Sequence, residues 1–232
     1  MLALALFSRN FTGTTSTGMK YTSFVTISTV FLLLTGATLF LVYLTDRYIL
    51  TFNFYAISAG DSSVFGDVGV SVYKKVERFV YLFSAGYLLL KILAIAAILR
   101  TALYLNNASL PFGKVFLTVT AAEYIFLIPA VIKIYWFHHY YPQGNLSVWH
   151  RFYPLSAMSF LSDVPADWIY PLQTLNVFEV IYWFLLAFGL SRTSGLTFDR
   201  SIRLVVTSYL PVLFIWVTVA VFSSLLLFPQ TG

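Results

Sequence analysis

Five stretches of this chain are apolar with almost no polar interruption: about 21–44, 79–99, 115–137, 172–190 and 202–228. Each is close to the roughly twenty residues a helix needs to cross a hydrocarbon core about 30 Å thick. Backbone amides in lipid must be bonded within their own segment, so runs of this length predict helices. The alternating apolar and polar residues of a membrane β-barrel strand are missing from them. The pattern therefore predicts an all-α integral membrane protein of five transmembrane helices, forming one polytopic domain over residues 1–232.

The polar stretches between the spans alternate in length. Two are short basic turns, Arg100 to Lys114 and Ser191 to Ser201, and two are long loops, 45–78 and 138–171. The side holding the N-terminus and the short turns carries Arg9, Lys20, Arg100, Lys114, Arg192, Arg200 and Arg203 against one acid, Asp199. The other side carries Arg47, Lys74, Lys75, Arg78 and Arg151, diluted through the long loops among six acids. Short loops dominate the positive-inside rule, so the N-terminus is expected in the cytoplasm and the C-terminus outside. The first seven residues are apolar, but the only nearby charge, Arg9, follows them, which is the reverse of a cleaved signal peptide. A short interfacial or cytoplasmic tail is expected there.

Composition agrees. Hydrophobic residues make up 59% of the 232 and charged residues 10%, against about a quarter charged in soluble domains. The net charge of +5 comes from residues at helix ends, which set orientation, so no nucleic-acid partner is implied. The lipid bilayer is the expected partner, together with another membrane protein or further copies of the chain. Cysteine is absent, which removes disulfides and thiolate metal sites.

Charged residues inside spans are costly, so each is a functional candidate. There are four: Lys91, Glu123, Lys133 and Glu179. Lys91 lies eight residues before Leu99 and Glu123 eight after Val115, about 12 Å in from the same helix ends. An ion pair is the simplest outcome. Lys133 lies nearer the outer end of its helix, where it can snorkel, and Glu179 is within reach of it or stays protonated. Such pairs can fix helix register, or they can carry protons or ions. Pro129 and Pro211 are expected to kink the third and fifth spans. The three histidines fall in the second long loop with no acid beside His138 and His139, and no phosphate loop, nucleophile elbow or HExxH motif is present. Catalytic, cofactor and metal sites are therefore not expected.

The second long loop is rich in aromatics. Trp136, Trp149 and Trp168 are candidates for a partner surface, and a short amphipathic helix is expected at about Pro154 to Leu161. Tyr48, Leu50, Phe52 and Phe54 alternate like an extended segment in the first loop, and Asn145-Leu-Ser147 is a formal glycosylation sequon. Finally, LPFGKVFLTVTA from Leu110 parallels LTFDRSIRLVVT from Leu196 at a constant offset of 86 residues. That predicts a parallel repeat, with spans two and three copied as spans four and five.

The last hairpin carries a resemblance, mainly over residues 178–213. An apolar helix ends in Gly189-Leu190, the turn SRTSGLTFDRS follows, and the next helix holds Ser208-Tyr-Leu-Pro211. With five spans and a cytoplasmic N-terminus, this resembles the Yip1-domain membrane proteins. Eukaryotic members of that family act in membrane traffic, bind Rab-type GTPases, and carry a sizeable cytosolic N-terminal region with an Asp-Leu-Tyr-Gly-Pro motif. This sequence has neither, so Rab binding does not carry over. Its compact length and aromatic outer loops look more like bacterial members of the type. The resemblance implies a non-enzymatic structural or accessory component of a bacterial inner (plasma) membrane assembly. The alternative is a small permease or ion- or proton-coupled transporter subunit working through the intramembrane Lys and Glu residues.

Overall fold

The computed structural model describes residues 16–50, 63–141, 146–161 and 164–227. Within them the chain is helical, and five helices are long and apolar enough to cross a membrane. The protein is an integral membrane protein by this measure. The helices are α1 (Ser16–Tyr48), α2 (Ser63–Leu105), α3 (Phe112–Glu123), α4 (Leu127–Tyr140), α5 (Leu146–Arg151), α6 (Ala166–Thr174), α7 (Val177–Ser194) and α8 (Phe198–Leu227). The spans are Phe24–Tyr48, Phe79–Leu105, Phe112–Tyr140, Val177–Ser194 and Phe198–Ser223. Large apolar side chains such as Leu82, Phe24 and Phe214 stand exposed around the outside, as expected where lipid is the solvent.

The third span is α3 and α4 joined through a turn of 3-10 helix, Tyr124–Phe126. Its cause lies just downstream. Pro129 has no N–H to offer the Ile125 carbonyl, so the regular ladder cannot run through this turn. Pro211 removes the same donor from the Thr207 carbonyl, yet α8 continues past it in one piece. Hydroxyls of Thr207 and Ser208 bond back to Arg203 and Leu204 carbonyls in that stretch.

The second to fifth spans close into a ring. α2 packs on α3, α3 on α7, α7 on α8 and α8 back on α2, while α1 lies outside against α2, α3 and α4. The expected repeat is visible in this ring as a shared burial pattern. Val115, Thr118, Val119 and Glu123 are buried on α3, and the residues 86 further on, Ser201, Leu204, Val205 and Tyr209, are buried on α8. α3 and α8 also begin at Phe112 and Phe198, the same offset. On the preceding helices the offset is 87, matching buried Ile95, Leu99 and Leu103 to Tyr182, Leu186 and Leu190. Two hairpins in one orientation thus face each other around a common core.

Two close approaches hold the ring. At Gly189 a side-chain carbon would collide with Thr118, so α7 can sit against α3 only because that position is glycine. Gly195 ends α7 at φ 75°, the left-handed cap that glycine adopts without strain.

The second long loop departs from expectation. No amphipathic helix forms at 154–161. Leu155 is left-handed at φ 53°, Ser156 is extended, and only a 3-10 turn, Ala157–Phe160, follows. Ser156 instead pairs antiparallel with Asn176, through Ala157 N–H to the Leu175 carbonyl at 2.8 Å and Val177 N–H to the Leu155 carbonyl at 3.1 Å. This pairing satisfies non-helical backbone between α6 and α7, as a break near membrane depth requires. The fourth span consequently starts at Val177 instead of 172. α6 packs against α8, where Trp216 Nε1 donates to the Tyr170 hydroxyl at 2.9 Å. The alternating residues Phe52 and Phe54 and the sequon Asn145 lie outside the described residues.

Candidate functional site

Both buried acids of the spans sit at helix discontinuities. Glu123 is the last residue of α3, at the turn that Pro129 forces. Glu179 lies in the first turn of α7, where the Asn176 side chain caps the helix by accepting from Glu179 N–H at 2.8 Å. Asn-x-x-Glu is a capping-box spacing, and the partial positive charge at a helix N-terminus favours an acid there.

The Glu123 carboxylate accepts from Lys91 Nζ through Oε2 at 2.9 Å, which bears out the expected pair. The helices run to Leu105 and start at Phe112, so the pair lies about 17–21 Å in from the short-turn end, deeper than 12 Å. Glu123 is 3% exposed and Lys91 27%. The ammonium also lies 4.3 Å above the Phe126 ring and 5.7 Å from that of Tyr182. Oε1 of Glu123 and the Tyr182 hydroxyl are both buried in this layer, where the two side chains face each other.

Glu179 does not reach Lys133. Its Oε1 accepts from the Tyr209 hydroxyl at 2.8 Å and from Trp183 Nε1 at 3.0 Å. Tyr209 meets Tyr182 edge to face at 5.8 Å, so Tyr182 stands between the two acids. The result is one polar layer across the ring: Lys91 and Glu123 on one hairpin, Glu179, Tyr182, Trp183 and Tyr209 on the other. Glu123 and Tyr209 occupy equivalent positions of the repeat.

Toward the short-turn end this layer is sealed. Leu99, Leu103, Val115, Val119, Leu190 and Val205 are fully buried below it. Toward the long-loop end it opens into a half-open cavity of about 470 Å³ between α1, α2 and the third span. Lys91 and Glu123 form its deep end, aliphatic side chains such as Leu41 and Val80 its walls, and Asp46 its rim. On α1 it extends from Leu34 to Asp46, about 18 Å of helix.

The remaining candidates lie apart from this layer. Lys133 sits 4.3 Å over the Trp149 ring, and Trp149 packs edge-on to Phe137 at 4.9 Å. Trp136 stacks on Phe152 at 6.0 Å. Trp136 and Trp149 thus belong to one aromatic cluster at the end of α4, whereas Trp168 stands exposed on α6. Of the three histidines, His150 has its imidazolium disfavoured by burial and then by Lys133. Among the described residues, no group of three or more His, Asp and Glu converges to hold a metal ion.

Sequence reasoning missed Tyr209, Tyr182 and Trp183. A signal existed, because Tyr209 falls 86 residues after Glu123 in the repeat and so shares its buried face. Comparison with protein-family models, with curated proteins and with solved structures found no match.

Proposed function

We propose that this is a non-enzymatic membrane protein of Yip1-like architecture, an accessory component of a bacterial inner-membrane assembly with its N-terminus in the cytoplasm. The carrying observation is that, among the described residues, the charged cross-ring layer is closed toward the short-turn end. The Lys91–Glu123 charges neutralise each other, Glu179 is held by two uncharged donors, and aliphatic residues close the ring beneath them. A conducting path needs polar groups or water on both sides of such a layer. Paired groups inside a closed bundle instead hold helix register and leave the outer surfaces for a partner.

A specific observation favours a second reading, a small permease subunit. Both acids lie at helix breaks, and discontinuous helices are where transporters of repeated architecture bind their cargo. Flux measurements in proteoliposomes with Glu123→Gln and Glu179→Gln separate the two. If the variants fold but lose a proton- or ion-coupled flux seen in the wild type, the accessory reading fails. If purification in mild detergent brings down a stoichiometric membrane partner and no flux is found, it stands.

A further inference from the structure

We propose that Lys133, with Trp149 and His150 beside it, binds the phosphate of an anionic phospholipid in the leaflet on the long-loop side. The inference is independent of whether a protein partner exists. Of the four charged residues inside the spans, Lys133 is the one left uncompensated. Lys91–Glu123 is the one ion pair among the described residues, and Glu179 is held by two neutral donors. The Lys133 ammonium instead lies 4.3 Å over the Trp149 ring. A ring face attracts a cation but offers no lone pair to its three N–H groups. A cation inside a span is costly on those terms, and an anion beside it removes the cost.

Depth points to a lipid as the source of that anion. Lys133 lies about 10 Å short of Tyr140, the end of α4. Trp149 belongs to α5, beyond that end, so the side chain reaches toward the interface, where aromatic residues and headgroups share one level. Val131, Ile132 and Tyr135 around Lys133 are exposed, so this part of α4 meets acyl chains. The surroundings also select the sign of the head. Lys133 is the charged group that acts on the His150 imidazole, and no acid among the described residues acts there. Arg151 follows on α5 and adds positive charge. A zwitterionic lipid would bring its own cation up to Lys133, whereas an anionic lipid brings none. A second copy of the chain is a poor alternative, because the acids inside its spans, Glu123 and Glu179, are buried.

The test is native mass spectrometry of the full-length chain, purified in mild detergent, with phosphatidylglycerol and phosphatidylcholine of identical acyl chains at equal concentration. The wild type is expected to retain phosphatidylglycerol about ten-fold more, the effect of one hydrogen bond to a charged group. Lys133→Arg should keep that preference. Lys133→Gln and Lys133→Met should each erase it, with the melting temperature in lipid-free detergent unchanged. Arg151→Gln removes a charge of the same sign from the neighbouring surface and should leave most of the preference in place. Equal retention of the two lipids by the wild type would overturn the proposal. So would an equal loss from Arg151→Gln, which means a diffuse positive surface, or displacement of the lipid by excess inorganic phosphate, which means a free anion. A lowered lipid-free melting temperature in both neutral variants would make Lys133 structural. A variant that keeps the lipid preference but sheds a co-purifying membrane protein would assign the residue to that partner instead.

Discussion

The two hairpins of the ring place a buried polar pair at nearly the same depth, yet they solve the problem of a buried acid differently. In the α2–α3 hairpin, Glu123 is balanced by a cation at the deep end of an open cavity. In the α7–α8 hairpin, Glu179 is met by a phenol and an indole. The pairs Lys91–Glu123 and Glu179–Tyr209 link first to second helix in both cases; Glu123 and Tyr209 are equivalent in the repeat, whereas Glu179 is equivalent to Ile92, one position past Lys91. An ion pair in a low dielectric is strong only while both members are present; hydrogen bonds from neutral donors lose less when one is removed. The first site should therefore be fragile and accessible, the second tolerant and closed.

The largest expected effect tests that fragility. Lys91→Met leaves Glu123 without its counter-charge and should destabilise the fold by about 3–5 kcal/mol. Adding Glu123→Leu should restore most of the loss, because apolar residues of similar volume commonly replace a buried pair at little cost. Unfolding curves of both variants in mixed micelles check this. If the double variant is as unstable as the single, the pair matters for its shape and not its charge.

The asymmetry was only half visible beforehand. Lys91 and Glu123 could be paired from residue counting, because helical rise fixes depth and opposite charges in lipid must meet. The repeat was legible because Leu110, Phe112 and Lys114 recur as Leu196, Phe198 and Arg200 at the turns, although the buried positions that follow carry different types, as in Thr118 and Leu204 or Glu123 and Tyr209. The donors that hold Glu179 were not legible, since tyrosine and tryptophan are ordinary in membrane helices. The break at Leu175–Asn176 was hidden for a different reason. It has neither proline nor glycine, and it exists because Ser156, twenty residues earlier, pairs with Asn176. A turn of 3-10 helix precedes Pro129, while α8 is one helix across Pro211.

The closed character of the second hairpin can be challenged at Gly189, whose contact with Thr118 sets how near α7 lies to α3. Gly189→Val overpacks that contact and should destabilise by about 1–3 kcal/mol. Thr118→Ala should relieve part of the loss, and a double-mutant cycle on unfolding free energies measures the coupling. Additive losses would mean the helices separate elsewhere. Smaller again is the contrast between two tyrosines of the same layer. Tyr209→Phe removes a hydrogen bond to Glu179 and should cost about 0.6–1.7 kcal/mol, the range for interhelical bonds in membranes. Tyr182→Phe removes a buried hydroxyl that faces Glu123 without a well-formed hydrogen bond and should cost less than Tyr209→Phe. A larger loss for Tyr182 than for Tyr209 would reverse the roles assigned here.

The finest comparison uses Tyr153, which lies in the long loop outside the spans and senses both acids. Its hydroxyl is pushed up to about 12 from the usual 10.0, first by burial, then by the negative charge of Glu179 and, less, by that of Glu123. Because the folded value is raised, the unfolded chain loses this proton first as pH rises. The stability that Tyr153 contributes is therefore complete below pH 10 and is lost as pH climbs from 10 to about 12. Tyr153→Phe should flatten that alkaline loss. Phenolate absorbance, taken as the difference from the Tyr153→Phe protein, follows the residue directly. Glu179→Gln should bring its titration down further than Glu123→Gln does, since Glu179 acts on it more strongly. Equal shifts from the two substitutions would show that the loop senses both acids alike, and the contrast between the hairpins would lose its electrostatic basis.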